Sequence, residues 1–387
     1  MEGRITEYIQ KNKVSFAHVI TVAGYFAKNI VEFVQNNPTD LSAKEHIFII
    51  DESETTKQLE VYPNVFIVKN LKENEHIILE QLANKIDNII LHFLDFEVIK
   101  KISNQTAKKI IWRTWGNDLT YSVSYFPTFK LKVKALYKKL IWNTKGKALA
   151  KKFKAIAISA SECDRLELKR QKINNTIFRL PYPTKYWEED FARILESDNN
   201  SFIKKDGEIW IMVGHSANSA LNHIKILNLL LGLKEENVRL IMPMSYGRNE
   251  YREKVRSVAN NIFGEKVIIL EENLPYDEYV RLLNKIDFAF FDAEHQMGLG
   301  NIVDLLLLGK IVFLNKKGIV YKTLTDKGVR VYDCNQTKDI SLKNLIELKE
   351  GHNSLSGVNY AKGLRNKQFV INDWVELLKY LKVENGR

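Results

Sequence analysis

The feature that most constrains this chain is a steady alternation of short apolar runs with amphipathic stretches, which continues through 387 residues. Short apolar runs bounded by turn residues are typical of buried strands, and the stretches between them have helical spacing. In the first half the pattern predicts strands at Ile47–Asp51, Val65–Val68, Ile89–Leu94, Lys109–Thr114, Ala155–Ala160 and Thr176–Leu180, and helices at Gly24–Gln35, Glu75–Ile86 and Phe96–Gln105. Strands that alternate with helices predict parallel βαβ units in a doubly wound sheet.

The second half repeats this rhythm. It predicts strands at Glu208–Val213, Val238–Pro243, Val267–Leu270, Phe288–Phe291, Ile311–Asn315 and Val329–Tyr332, and helices at Ser219–Leu231, Glu250–Ile262, Tyr276–Lys285 and Asn301–Leu308. The segment Pro181–Ser201, with its prolines and its Asp-Asn-Asn-Ser end, suits a linker, and Gln368–Val383 has the pattern of an amphipathic helix. We therefore expect an α/β chain with Rossmann-like domains at 1–185 and 186–365, followed by a C-terminal helix at 366–387.

Two doubly wound domains of this kind place ligands at the carboxyl ends of their strands, and we expect the two to face each other across a cleft. No G-x-G-x-x-G sequence follows a predicted strand, which disfavours a dinucleotide-dependent oxidoreductase.

The charge of the chain points to an anionic partner. The formal net charge is +11 and the pI is about 9.2. Cys163 and Cys334 lie far apart and outside any Cys/His cluster, so we expect no metal site, no disulfide and a reducing cytosol. The residues after Met1 show no signal-peptide pattern, and no apolar run reaches the length of a membrane span. We expect a cytoplasmic protein that touches a membrane only peripherally.

Three turns in the second half are candidates for a phosphate-binding site, although the second, Pro243–Gly247, equally suits an ordinary strand-to-helix loop. Each follows a predicted strand and contains glycine, which lets backbone N–H groups approach an anion at a helix start. The candidate residues of these turns are Gly214, His215, Ser216, Asn218, Tyr246, Gly247, Gln296, Gly298, Gly300, Asn301 and, in the following helix, Asp304. Ser216 and Asn218 equally suit plain helix caps, and Asp304 equally suits the helix dipole without a ligand.

In the first half one turn stands out, Trp112-Arg113-Thr114-Trp115-Gly116-Asn117-Asp118, because aromatic, cationic and acidic residues crowd one strand end. Trp115 and Gly116 suit a sugar-binding surface, whereas Trp112 suits the core. Asp118 is the most attractive general base or positioning acid. A helix cap is its competing role, and His92 and Asp95 are weaker candidates.

A lysine-rich stretch follows this turn. Between Lys130 and Lys154 there are ten lysines, and no Asp or Glu occurs from Leu119 to Ser161. Lysines of one sign with interleaved aromatic residues fit an anionic membrane surface or a lipid-diphosphate acceptor, with single-stranded nucleic acid as the other reading. No nucleic-acid-binding motif accompanies the stretch, so we favour the membrane, with Lys138, Lys139, Lys151 and Lys152 as contact residues, and expect no nucleic-acid partner.

The segments WRTWGND, GHSANSALNH, MSYG, EENLPYDEYVRLLNKID and QMGLGN, in this order, resemble the bacterial 4-alpha-L-fucosyltransferase family. The resemblance implies a glycosyltransferase of the B-type fold that takes a deoxyamino sugar from a TDP-sugar donor. It also implies a polyprenyl-diphosphate-linked acceptor at the inner leaflet, in cell-surface polysaccharide synthesis. It places the donor on the second domain, where it adds Glu271 to the residues above, and the acceptor on the first, near Trp115, Gly116 and Asp118. Asp304 stands five residues before Gly309, as the ribose-binding acid does in other B-type transferases.

Two other functions remain open from the sequence. A nucleotide-sugar epimerase on the same scaffold would not need the lysine-rich stretch. A non-catalytic membrane or nucleic-acid-binding protein would not need the glycine turns. Fold alone does not decide among them. No D-x-D-like acidic pair lies between the turns, so we expect no required metal and no cofactor beyond the nucleotide sugar.

Overall fold

The computed structural model of the chain describes residues 2–22, 24–116, 118–119, 129–159, 162–184, 187–197, 202–337 and 340–385. Contacts divide the chain into two compact units. Unit 1 comprises Met1–Lys185 with Lys367–Arg387, and unit 2 comprises Tyr186–Asn366. The predicted α/β class is confirmed, because each unit is built on one parallel sheet with helices between successive strands.

The sheet of unit 1 has the strand order β3-β2-β1-β4-β5-β6-β7, and every neighbouring pair is parallel. Its strands are β1 Phe16–Ile20, β2 His46–Asp51, β3 Val65–Val68, β4 Ile89–His92, β5 Ile110–Arg113, β6 Ala155–Ile158 and β7 Ile177–Arg179. Strands buried on both faces read as continuous apolar runs, which is why most of them were predictable. The central strand β1 was missed.

Helices cover the sheet of unit 1. They are α1 Glu2–Lys11, α2 Gly24–Gln35, α3 Glu54–Lys57, α4 Leu71–Ala83, α5 Phe96–Lys101, α6 Asn104–Ala107, α7 Phe129–Ile141, α8 Lys147–Ala150, α9 Cys163–Arg170 and α18 Lys367–Asn385, with a π-helical turn at Trp142–Gly146 between α7 and α8. The terminal helix α18 belongs to this unit. Its Trp374 is buried and donates from Nε1 to the carbonyl oxygen of Pro181 at 3.2 Å.

The sheet of unit 2 has the order β10-β9-β8-β11-β12-β13. Its strands are β8 Ile209–Val213, β9 Val238–Pro243, β10 Val267–Leu270, β11 Phe288–Phe291, β12 Ile311–Leu314 and β13 Tyr332–Asp333, and its helices are α10 Glu188–Glu196, α11 His223–Leu229, α12 Asn249–Phe263, α13 Tyr276–Lys285, α14 Leu299–Leu307, α15 Ile319–Asp326, α16 Leu342–Glu350 and α17 Leu355–Arg365.

The strand order reverses once in each sheet. In unit 1 the reversal lies between β1 and β4, and in unit 2 it lies between β8 and β11. The connections from the two adjoining strands leave on opposite sides of the sheet at that point, so a crevice opens at the carboxyl ends. The turns after β8 and β11, singled out from their glycines, therefore adjoin the crevice of unit 2.

Two predicted segments differ from the structure. The stretch Pro181–Ser201 is not an irregular linker, since it contains α10, whose Phe191 and Ile194 pack against Val280. The helix predicted at Ser219–Leu231 is divided into a short 3₁₀ turn and α11, because Asn222 between them has φ 53°.

None of the helices in the described residues is both long and apolar enough to cross a membrane.

Candidate active site

The turn after β8 is held tightly against its neighbours. Gly214 has φ 66°, and a Cβ there would lie 2.3 Å from Nε2 of His223, so only glycine fits. The Gly214 N–H donates to the Phe290 carbonyl of β11 at 2.9 Å. Ala217 forms a parallel bridge with Gly247 of the turn after β9. The first two predicted turns are therefore one connected structure.

The turn after β11 is joined to the same structure. Asn222 donates from Nδ2 to the Asp292 carbonyl at 2.8 Å, and Lys225 forms an ion pair with the buried Asp292 carboxylate at 2.7 Å. Gly298, at φ 64°, precedes α14, and a Cβ on it would lie 2.6 Å from Nδ1 of His215. The structure thus brings the three predicted turns together around the His215 ring.

His215 is 7% exposed, and its Nδ1 has no hydrogen-bond partner among the described residues. Burial lowers the pKa of His215 to about 4, so the ring is neutral at physiological pH and keeps one N–H to donate. The Gln296 side-chain oxygen is likewise buried without a partner in the described chain. Unpaired buried polar atoms are costly, and a bound ligand is one way to satisfy them. Here they adjoin Gly298, at the start of α14, where the first N–H groups of a helix have no partner within the helix and suit an anion.

The remaining residues of the first two turns divide into structural and accessible ones. Asn218 caps the 3₁₀ turn by accepting a hydrogen bond from the Ala220 N–H at 3.0 Å, which is the capping role that the sequence left open. Ser216 is buried, with its side chain close to the Tyr246 hydroxyl. The Tyr246 ring is 54% exposed and its centre lies 6.1 Å from that of His215. Tyr246 is therefore available to a ligand beside the turn.

Two acids expected on the donor side have protein partners. Both oxygens of the buried Asp304 are engaged, one by the Tyr276 hydroxyl at 2.9 Å and one by the Arg365 guanidinium. Glu271 forms ion pairs with Arg252 and Arg256 of α12. The structure therefore differs from the expectation that Asp304 is free to accept from ribose hydroxyls, because burial and the Arg365 ion pair already satisfy it.

Gly300 and Asn301 lie in the first turn of α14. Gly300 is exposed, and a Cβ there would meet open space. The Asn301 side-chain oxygen accepts a hydrogen bond from the half-buried Tyr279 hydroxyl at 2.5 Å. Asn301 is thus tied to α13.

In unit 1, Asp118 is completely buried. One carboxylate oxygen accepts from the Leu94 N–H at 3.1 Å and from Trp112 Nε1 at 2.8 Å, and the other accepts from the Trp115 N–H at 2.8 Å. Burial raises the pKa of Asp118 to about 6. We expected the Asp118 carboxylate to be accessible to an acceptor hydroxyl. In the structure it is buried and instead fixes the turn that carries Trp115. A catalytic role for Asp118 stays a prediction.

Trp115 belongs to an aromatic group at the strand ends. Its ring centre lies 4.2 Å from that of Tyr182 and 4.6 Å from that of Phe26. The buried Arg113 guanidinium lies 4.1 Å from the centre of the Tyr182 ring and donates to the Leu180 carbonyl. Gly116, at φ 78°, completes the turn. Asn117 lies outside the described residues.

Two further carboxyl groups of unit 1 are Asp95, in the turn after β4, and Glu75, on helix α4. Asp95 caps α5 by accepting from the Glu97 N–H at 2.9 Å, so its position is explained without a ligand. Glu75 of α4 is 1% exposed, and one of its oxygens accepts from the Thr21 hydroxyl at 3.3 Å while the other has no partner in the described chain. Burial, with the nearby Asp95 charge, raises the pKa of Glu75 to about 8.

A chain of buried histidines runs across three strands of unit 1. His46 Nε2 lies 2.9 Å from the Leu41 carbonyl, which can only accept, so this nitrogen carries the proton. His46 Nδ1 therefore accepts from His18 Nε2 at 2.8 Å, and His18 Nδ1 accepts from His92 Nε2 at 3.0 Å. His92 Nδ1 is left to accept from the Tyr182 hydroxyl at 3.1 Å. The Leu41 carbonyl, at one end of this chain of histidines, thus fixes the tautomer of all three neutral rings.

The lysines proposed for membrane contact are on the surface, and two of them have additional partners. Lys138 Nζ lies 5.4 Å from the centre of the Phe96 ring, and Lys152 donates to the Asn104 side-chain oxygen at 2.7 Å. Lys139 and Lys151 are exposed. The Lys130 side chain lies outside the described residues.

In the part of the chain that the structure describes, no group of three or more His, Cys, Asp or Glu side chains is placed to hold a metal ion.

Sequence reasoning missed His18, His46, Glu75 and Tyr182. The apolar run of β1 would have predicted that strand, but His18 interrupts the run. The side-chain partners of these four residues are tens of residues away, so local spacing gave no indication of them.

Comparison with known proteins agrees with this architecture. The sequence model of 4-alpha-L-fucosyltransferase glycosyl transferase group 56 matches residues 16–370. A glycosyltransferase from Rickettsia africae ESF-5 is 12% identical, with a TM-score of 0.60 over 96% of this chain and 98% of the other. Anabaena HepE, solved in complex with UDP and glucose, is 11% identical, with a TM-score of 0.59 over 96% and 100% of the two chains.

A putative UDP-N-acetylglucosamine 2-epimerase from Listeria monocytogenes also shares the fold, at 13% identity and a TM-score of 0.53 over 93% of this chain and 94% of that one. At such identities these structures support the fold alone, whereas the family match extends over nearly the whole sequence. The predicted B-type fold is confirmed. The chain belongs to the 4-alpha-L-fucosyltransferase family, glycosyl transferase group 56, and is a glycosyltransferase.

Proposed function

We propose that unit 2 binds a nucleotide diphosphate sugar at the joined turns after β8, β9 and β11. The observation that carries this proposal is His215, a buried neutral imidazole whose Nδ1 has no partner in the described chain, beside Gly298 at the start of α14. Helix N–H groups and an imidazole N–H are suitable donors for a diphosphate. Tyr246 lies at the edge of this site with an exposed ring.

The family membership supports the rest of the reaction that we propose. The enzyme transfers a deoxyamino sugar from a TDP-sugar to a polyprenyl-diphosphate-linked saccharide, which unit 1 binds near Trp115. The aromatic group of Trp115, Tyr182 and Phe26 supports this, because aromatic faces pack well against sugar rings. The basic surface of the lysine-rich stretch supports contact with the anionic membrane that holds such an acceptor.

The donor requires no metal in this proposal. The α14 N-terminus and the His215 N–H supply the interactions that a cation would otherwise provide to the diphosphate. A nucleotide-sugar epimerase is the other activity compatible with the fold. It would release a free modified nucleotide sugar without an acceptor, so product analysis with and without a lipid-linked saccharide separates the two.

The donor site is tested by isothermal titration with TDP, UDP and GDP, each with and without magnesium, on Gly298→Ala. A methyl group at Gly298 would displace His215, so we expect at least a tenfold loss of affinity for the preferred nucleotide. The matched control is Gly328→Ala in the same unit, because Gly328 also has positive φ, 73°, but a Cβ there would meet open space. Equal affinities of the two variants, or no nucleotide binding by the wild type, would refute the assignment.

A further inference from the structure

Helix α7 exposes a line of large apolar side chains. Val133 is 47% exposed, Leu136 56%, Tyr137 51% and Leu140 61%. These positions are spaced i, i+3, i+4 and i+7, so they lie on one face and form a continuous stripe along two helical turns. We call these four residues the α7 stripe. Exposed apolar side chains are ordinary when scattered, but a contiguous stripe on a helix marks a contact surface.

The α7 stripe is not an extension of the protein core. Ala135 is 8% exposed, and Trp142, just past the end of the helix, is 3% exposed and packs within the core of unit 1. With about 100° of rotation per residue, Ala135 lies nearly opposite Val133 and Leu140. The helix therefore has a core-facing side already in use, and the stripe points away from it. Among the described residues, only Tyr137 of the α7 stripe has an aromatic neighbour, Phe96, at 5.8 Å between ring centres.

Lysines occupy the two flanks between these faces. With the same rotation of about 100° per residue around the helix axis, Lys132 and Lys139 lie on one side of the stripe, and Lys134 and Lys138 lie on the other. No acidic residue occurs anywhere from 119 to 161, so nothing in this part of the sequence neutralises them locally. An apolar stripe bordered on both sides by lysines is the arrangement of helices that lie in the plane of an anionic membrane surface.

We infer that α7 is a membrane-docking helix whose stripe enters the boundary between headgroups and acyl chains of an anionic bilayer. The flanking lysines keep their ammonium groups at the lipid phosphates while their stems lie along the apolar layer. A second copy of this chain is the less suitable occupant, because pairing two α7 stripes would bring lysine flanks of like charge together. This inference rests on the proposed function, because that function requires a lipid-linked acceptor. It adds that helix α7 is the element that contacts the lipid.

The test is co-sedimentation of the full chain with phosphatidylcholine vesicles and with vesicles that also contain phosphatidylglycerol. The variant Leu136→Ser/Leu140→Ser should bind the anionic vesicles at least tenfold less than wild type. The control Val61→Ser/Ile203→Ser removes two aliphatic side chains elsewhere that are even more exposed, at 78% and 83%, and should bind as wild type does.

A second readout reports insertion directly. Leu140→Cys, carrying an environment-sensitive nitrobenzoxadiazole dye, should show a blue shift and increased emission with anionic vesicles, while the same label at Val61→Cys should not. The two native cysteines are buried, which favours selective labelling. Unchanged vesicle binding by the stripe variant, or a wild-type dimer in sedimentation velocity that the stripe variant abolishes, would overturn the inference. Nucleotide titration on the same preparations shows independently whether the donor site is intact.

Discussion

Glu75 offers the sharpest prediction, since its carboxyl group is buried and has only one hydrogen bond in the described chain, from Thr21. Burial raises the pKa of Glu75 from 4.5 to about 8. A carboxyl whose folded pKa lies above its unfolded pKa binds more protons in the folded state, so its contribution to stability falls as pH rises between these two values. Substitution Glu75→Gln removes this dependence because glutamine stays neutral.

The size of the effect follows from the two pKa values, at about 1.36 kcal/mol per unit. The reference is the stability difference between variant and wild type at low pH, where Glu75 is protonated in both the folded and the unfolded state. Relative to that reference, Glu75→Gln should raise the free energy of unfolding by about 1 kcal/mol at pH 5, about 3 kcal/mol at pH 7 and about 5 kcal/mol at pH 9. For a domain of the size of unit 1, the pH 7 value corresponds to a rise in melting temperature of about 6–12 °C. The increase with pH is the diagnostic quantity, because a constant packing difference between the two side chains cancels from it.

Thermal unfolding of wild type and variant at the three pH values provides the measurement. Glu73→Gln is the matched control, because it makes the same substitution on the same helix α4 at an exposed position. A Glu75→Gln difference that stays flat or shrinks as pH rises would refute the reasoning. It would mean that the folded protein provides a partner for the ionised carboxylate.

Two further predictions concern buried polar groups of unit 1. Asp118→Ala leaves three N–H donors without their acceptor, at about 1–3 kcal/mol each, so we expect a loss of at least about 3 kcal/mol in denaturant unfolding; a variant as stable as wild type would exclude the ordering role. Burial lowers the pKa of His92 to about 3. The unfolded chain therefore takes up the proton first, and stability falls as pH drops below about 6.5. His92→Gln should lose about 2 kcal/mol less than wild type between pH 7 and pH 5; equal losses would contradict the neutral histidine chain.

The strands of both sheets could be predicted from the sequence for a physical reason. A strand buried on both faces must be apolar throughout, and Val65–Val68, Val238–Pro243 and Phe288–Phe291 were predicted with the bounds that the structure has. The missed strand β1 follows the same rule at every position but one. His18 is tolerated there because His46 and His92 satisfy both of its ring nitrogens, and those partners come from other strands.

The glycine turns of the candidate site were predictable because their chemistry is local. Gly214 and Gly298 each require positive φ at the end of a strand or the start of a helix, and such positions are visible in sequence. The state of the acids was not predictable in this way. Asp304 is paired with Arg365, which lies 61 residues later, and Asp118 accepts from the Leu94 N–H, which lies 24 residues earlier. Whether a carboxylate is free depends on such distant partners.

The histidine chain gives the aromatic surface of unit 1 a defined geometry. Because the Leu41 carbonyl can only accept, each ring in turn must donate from Nε2, and the last bond requires the Tyr182 hydroxyl to donate to His92. This fixes one end of the Tyr182 ring, while the Arg113 guanidinium lies against its face at 4.1 Å. The Trp115 ring packs on the same Tyr182 ring, and the Trp115 backbone N–H donates to the Asp118 carboxylate. Two buried polar networks thus converge on one pair of aromatic rings, so a sugar that packs there would meet a surface ordered before it binds, at a reduced entropic cost of association.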